Sequence, residues 1–128
     1  MTYVWVGLGS ALGGMARYWF YGVMARIAGD TFPWGTLTVN ILGCGLIGLF
    51  ATLTGPEGRV LVPSSTRMFV MTGICGGYTT FSTFSLETLN LVRDGEWGKA
   101  AANVTASVIL CLLGVWLGHV AALALNEK

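Results

Sequence analysis

Gly76-Gly77-Tyr78-Thr79-Thr80-Phe81-Ser82-Thr83-Phe84-Ser85 lies in the middle of an apolar segment long enough to cross a membrane. Adjacent glycines are poor helix formers, and the Thr-Thr that follows weakens the helix further. A helix interrupted at mid-bilayer frees backbone N–H and C=O groups that lipid cannot satisfy. Such backbone persists only when it is buried in protein, wetted, or bound to an ion. A break followed by a ladder of hydroxyls and phenyl rings therefore reads as an ion site and points to permeation.

The rest of the composition agrees with a membrane setting. Of 128 residues, 54% are hydrophobic and 10% charged, and the mean hydropathy is +0.69. A soluble domain of average make-up carries roughly 25% charged residues. Nineteen glycines fit membrane helices that approach closely. A net charge of +1 argues against nucleic acid as a partner. No secretory signal is expected, because the first basic residue, Arg17, already lies inside the first apolar segment.

Outward from the quoted stretch, four segments are expected: TM1 over 3–27, TM2 over 35–54, TM3 over 66–91 with a break near 76–80, and TM4 over 99–125. Each has the roughly 20 residues that a hydrocarbon core about 30 Å thick requires. Pro33, Pro56 and Pro63 fall between segments, where they cost least. Trp5, Trp34 and Trp97 sit near segment ends, as in an aromatic belt. The expected fold is a single all-α membrane domain of four helices. Four helices are few for enclosing a selective pathway, and Gly9-xxx-Gly13, Gly73-xxx-Gly77 and Gly114-xxx-Gly118 offer close-packing faces. These faces serve either oligomerisation or packing within one subunit.

Orientation normally follows an excess of Lys and Arg on the cytoplasmic side. Arg59, Arg67 and Lys128 fall on one side, and Arg26, Arg93 and Lys99 on the other. A chain without bias is able to insert both ways, and two inverted copies could then pair.

Several polar residues fall inside the apolar segments. Arg17 lies near the centre of TM1, where a basic side chain costs about 2.5–3.5 kcal/mol on insertion scales. It either serves an anion near a wet vestibule or is satisfied by backbone carbonyls. Asn40 in TM2 either bonds across helices or offers its N–H₂ to an anion. Phe81 and Phe84, and likewise Ser82 and Ser85, are three apart and form stripes, with Thr79 and Thr83 extending the hydroxyl side. Phenyl edges carry partial positive charge and face an anion without offering a base, while hydroxyls donate to it. Glu87 lies one turn beyond, facing a vestibule or pairing with a base. Asn103, Thr105 and Ser107 open TM4.

His119 stands alone, and Cys44, Cys75 and Cys111 are odd in number, without metal-ligand spacing. They are expected to be small buried hydrophobes. No enzyme is expected.

On Gly76-Gly77-Tyr78-Thr79-Thr80-Phe81-Ser82-Thr83-Phe84-Ser85 with Glu87, on Gly13-Gly14-Met15-Ala16-Arg17 and on Trp34-Gly35-Thr36-Leu37-Thr38-Val39-Asn40, the chain resembles the Fluc-type fluoride channels (the CrcB family) of bacteria. The resemblance spans essentially the whole sequence. It implies an antiparallel, dual-topology homodimer in the bacterial cytoplasmic (inner) membrane, with two fluoride pathways and a central structural Na⁺. The backbone carbonyls of Gly76 and Thr79 would hold the Na⁺. Phe81 and Phe84 would contact fluoride, Asn40 would donate to it, and Ser82, Thr83 and Ser85 would form a polar track. Arg17 would sit toward the vestibule, and Ser107 would be the TM4 contribution. The activity implied is passive, selective fluoride export that protects the cell from fluoride toxicity.

Rival readings are weaker. A small multidrug exporter needs a membrane carboxylate in its first helix, where this chain has Arg17. A fluoride/proton antiporter would need Glu87 or His119 to carry protons. A non-transporting subunit leaves the break unexplained.

Overall fold

Helices form over the long apolar runs and stop where proline or a left-handed glycine stops them. The computed structural model describes all 128 residues. Helix α1 spans Thr2–Ala28 and α2 spans Trp34–Leu53. A third rod is assembled from pieces: α3 (Ser64–Arg67), a π-helical stretch (Met68–Cys75), α4 (Gly76–Tyr78) and, after an extended step, α5 (Phe81–Arg93). Helix α6 spans Trp97–Asn126. Gly29 at φ 76° closes α1, and Gly95 at φ 77° turns the chain from α5 into α6, conformations that side chains with a Cβ rarely adopt. Pro33 and Pro63 precede the first residues of α2 and α3.

Two tight pairs organise the four rods. Against α1, the third rod approaches so closely that a Cβ on Gly9 would stand 2.9 Å from the Cα of Gly73. A Cβ on Gly77 would stand 2.9 Å from the Cα of Ser10. In the second pair, a Cβ on Gly118 of α6 would lie 2.8 Å from the Leu49 nitrogen of α2, and one on Gly114 would lie 3.1 Å from the Ile41 carbonyl. All three small-xxx-small motifs are therefore consumed inside one subunit. Bare backbone packs against bare backbone, and dispersion holds the pairs.

The extended step separates two packing partners. Before it, α4 lies on α1; after it, α5 lies on α6 and α2. Helical backbone continues through Gly76 and Gly77 and ends at Tyr78, so the deviation from helix is narrower than the expected 76–80. Thr79 (φ −87°, ψ 161°) and Thr80 (φ −157°, ψ 116°) are the extended residues. Gly77 provides close approach to α1 rather than the interruption itself, and Gly76 borders the cavity. The threonines are β-branched, favour extended backbone, and carry the step.

Burial mixes polar with apolar groups. Thr36, Thr54, Thr80, Asn103 and Ser107 are buried together with Leu37, Val39 and Phe84, whereas Tyr18, Trp19, Leu112 and Trp116 are exposed. Helices α2 and α6 are long and apolar enough to cross a membrane. Polar groups turned inward beneath an apolar outer surface suit a lipid solvent, where only internal partners satisfy them. Two of the arginines in the orientation count act as helix terminators. Arg67 reaches the Thr54 hydroxyl and the Ala51 carbonyl (3.5 Å) at the end of α2, and Arg59 reaches the Leu125 carbonyl of α6 at 2.7 Å. A cation at a helix C-terminus is favoured by the dipole.

Candidate functional site: a cavity at the extended step

The step is held by a side chain forty residues away. Asn40 donates from Nδ2 to the Thr80 carbonyl at 3.1 Å, and its Oδ1 accepts from the Thr80 N–H at 2.8 Å. One carboxamide thus replaces both helical backbone partners of one residue. The Thr80 hydroxyl accepts from the Thr83 N–H at 3.1 Å and donates to the Thr83 hydroxyl at 3.0 Å. Thr80 is therefore the N-cap of α5, satisfying a donor that a helix start otherwise leaves orphaned. On the other side, the Cys75 carbonyl accepts from both the N–H (3.0 Å) and the hydroxyl (2.9 Å) of Thr79.

A cavity of about 480 Å³ opens beside this step. Asn40, Gly76, Thr79, Phe81, Phe84 and Ser107 are among its walls, and no Asp, Glu, Lys or Arg lines it. The Phe81 and Phe84 ring centroids are 5.3 Å apart, with planes at 52°. Phe84 is buried and fixes the pair, while Phe81 is 77% exposed and reaches outward. Ser107 donates to Asn103 Oδ1 at 3.5 Å, Asn103 donates to the Thr88 hydroxyl at 3.0 Å, and Thr88 donates to the Phe84 carbonyl at 2.8 Å. Asn103, only 1% exposed, therefore links the α6 wall to the helix that carries the rings.

The structure divides the residues expected at the site. Asn40, Phe81, Phe84 and Ser107 meet at the cavity, as do Gly76 and Thr79. Ser82 and Ser85 are exposed and Thr83 is half-buried, all three away from the cavity's walls. Ser85 spends its proton on the Phe81 carbonyl at 2.9 Å. Glu87 lies in a separate recess lined also by Tyr21, Asp30, Trp34 and Asp94. It has no basic partner; it accepts from the Thr36 hydroxyl, which also lies 3.2 Å from the Tyr21 hydroxyl. Arg17 is half-buried on α1, borders neither recess, and no backbone carbonyl takes its guanidinium.

Thr80 and Asn103 carry more of the site than the sequence indicated. For Thr80 a local signal existed, a hydroxyl three residues before Thr83 at a helix start. For Asn103 none did, because its partners lie on another helix. The cysteines also depart from expectation. Cys75 is buried, but Cys44 and Cys111 are only half-buried, and all three face the cavity.

The carbonyls proposed for Na⁺ can be tested against this geometry. A continuous helix would direct the Thr80 N–H to the Gly76 carbonyl; here Asn40 takes it, and the carbonyl loses its helical donor. Gly76 is exposed at the cavity wall beside Thr79. Neutral carbonyl oxygens suit a hard monovalent cation. No cluster of three His, Cys, Asp or Glu side chains competes for a harder or softer metal. The donors fit, though one subunit supplies only part of a shell.

Comparison with known proteins finds relatives over nearly the full length of the chain. The family described as CrcB-like protein, Camphor Resistance (CrcB), matches residues 4–119. A protein of Paramagnetospirillum magneticum named fluoride-specific ion channel FluC is 60% identical, with 99% of each chain covered. One of Opitutus terrae with the same name is 59% identical over 98% of this chain and 95% of its own. A third, from Rhodospirillum rubrum and also so named, is 58% identical over 99% and 98%. These relatives are named as ion channels, not enzymes. With a match across 4–119 and relatives near 60% identity, the chain belongs to the CrcB family.

Proposed function

We propose that this chain is the subunit of a fluoride-selective channel that lets fluoride leave the cell passively and so protects it from fluoride toxicity. The observation that carries the proposal is the cavity at the step. It offers ring edges, hydroxyls and a carboxamide, and no charged side chain. A small, strongly hydrated anion needs partners that replace water without a competing base, and here they are the phenyl edges and the Asn40 carboxamide, since the Thr79, Thr80 and Ser107 hydroxyl protons go to Cys75, Thr83 and Asn103. Asn40 retains one N–H after serving Thr80, because the amide nitrogen carries two hydrogens.

An exposed Phe81 at an open cavity wall argues that a second copy completes the path. Balanced charges at the two ends favour an antiparallel, dual-topology homodimer in the bacterial inner membrane. Two such cavities would give two pathways. Gly76 and Thr79 of both copies would hold one Na⁺, which would brace the crossing of the two steps as a structural ion. In this arrangement Ser82, Thr83, Ser85, Glu87 and Arg17 serve the approach to the cavity rather than its wall. An inside-negative potential favours anion exit by about 2.3 kcal/mol per charge per 100 mV. Chloride would be rejected where the second copy narrows the open cavity to a passage too tight for the larger ion.

The lack of any carboxylate at the cavity weighs against proton-coupled export of cations and against an antiporter using Glu87 there. The deciding experiment is release of fluoride from KF-loaded liposomes, followed with a fluoride electrode after valinomycin is added. Rapid, valinomycin-dependent release without matching chloride release is expected. Absence of release from folded protein would overturn the proposal.

A further inference from the structure

All three cysteines of the chain converge on the one cavity, from different elements: Cys44 from α2, Cys75 from the end of the π-helical stretch and Cys111 from α6. Met71 adds a thioether to the same wall. Helices α2 and α6 are in close contact here, and the Cys44 Cβ would lie 3.7 Å from a Cβ on Gly114, one turn from Cys111. Cys44 and Cys111 line the cavity from these two packed helices. Both are half-buried and line the cavity, whereas Cys75 is buried. No third His, Cys, Asp or Glu completes a cluster around them.

We propose that Cys44 and Cys111 form a two-thiol site for a thiophilic divalent cation that prefers two ligands, and that an ion bound there plugs the cavity. Soft thiolates select soft metals. On binding, each sulfur releases its proton to solvent and forms one bond to the metal, so two protons leave, one divalent ion enters and no electron moves. Charge decides the class of ion. Two thiolates neutralise a divalent cation, whereas a monovalent ion would leave a net negative charge in a wall that has no cationic side chain to balance it.

The plug rests on the cavity being the conduction path; the binding site does not. The test uses the full-length protein and mercuric ion in chloride-free buffer, with retained mercury measured after desalting against a monothiol. One retained ion per chain is expected, dropping at least tenfold in Cys44→Ser and in Cys111→Ser and unchanged in Cys75→Ser. Cys44→Ala and Cys111→Ala repeat the measurement in case a serine variant fails to fold. No retention by the wild type, or one ion still retained in the double variant, overturns the site. In liposomes, flux is scored against each variant's own untreated rate, and at least a tenfold loss on mercury treatment is expected only where the pair is intact. Retention with undiminished flux overturns the plug and, separately, the cavity as the path. Valinomycin-dependent release from untreated vesicles tests the channel reading on its own.

Discussion

The carboxamide of Asn40 forms a closed pair with the backbone of Thr80, donating to its carbonyl at 3.1 Å and accepting from its N–H at 2.8 Å. Extended backbone within a helical rod needs substitute partners, and one side chain on α2 supplies both. The same atoms border the cavity. The group that holds the step is thus also the candidate ligand of the proposed channel, and that proposal ties stability to conduction at Asn40.

Asn40→Asp retains the acceptor for the Thr80 N–H but loses the donor and sets a carboxylate at the cavity. Liposome flux is expected to fall at least a hundredfold. Asn40→Leu strands both Thr80 backbone groups and is expected to destabilise the fold by about 1–3 kcal/mol for each orphaned group. Unfolding by denaturing detergent separates the two variants. Wild-type flux in Asn40→Asp would remove the residue from the path.

The two rings should respond differently. Phe81 is 77% exposed and Phe84 is buried, so Phe81→Ile should leave the isolated subunit's fold unchanged. Phe84→Ile should cost up to about 1.5 kcal/mol, as a core swap of similar volume. Both should lower fluoride release at least tenfold because each removes a ring edge from the cavity. Retained flux in both would exclude the ring-edge account.

The backbone contact between α1 and the third rod predicts a sharp contrast between glycines. Gly73→Ala places a methyl against the Gly9 Cα and is expected to cost about 1–3 kcal/mol through overpacking. Gly7→Ala meets nothing within 4 Å and should be silent. Equal midpoints of unfolding for the two variants would contradict the close pairing.

Removal of Na⁺ tests the carbonyl site. With both faces bathed in N-methylglucamine salts, a braced dimer is expected to loosen, read as a shift toward monomer on size exclusion and loss of flux. Readdition of Na⁺, but not of a divalent ion, should restore both. Unaltered dimer and flux would take Na⁺ out of the structure.

Local chemistry made much of this protein legible from its sequence. Apolar runs of membrane length specify helices, because a long hydrophobic segment satisfies its own backbone only in that form. Gly76-Gly77-Tyr78-Thr79-Thr80 marked the irregular region because poor helix formers weaken a rod wherever it packs. Partnership was not legible, because it depends on residues far apart in the chain. Only the tertiary structure narrowed the step to Thr79 and Thr80, since Gly77 stays helical in close backbone contact with Ser10. It also assigned Asn40 to Thr80, used all three glycine motifs within the subunit, and placed three scattered cysteines on one wall. Residue type sets what a side chain is able to bond, and packing sets which partner it meets.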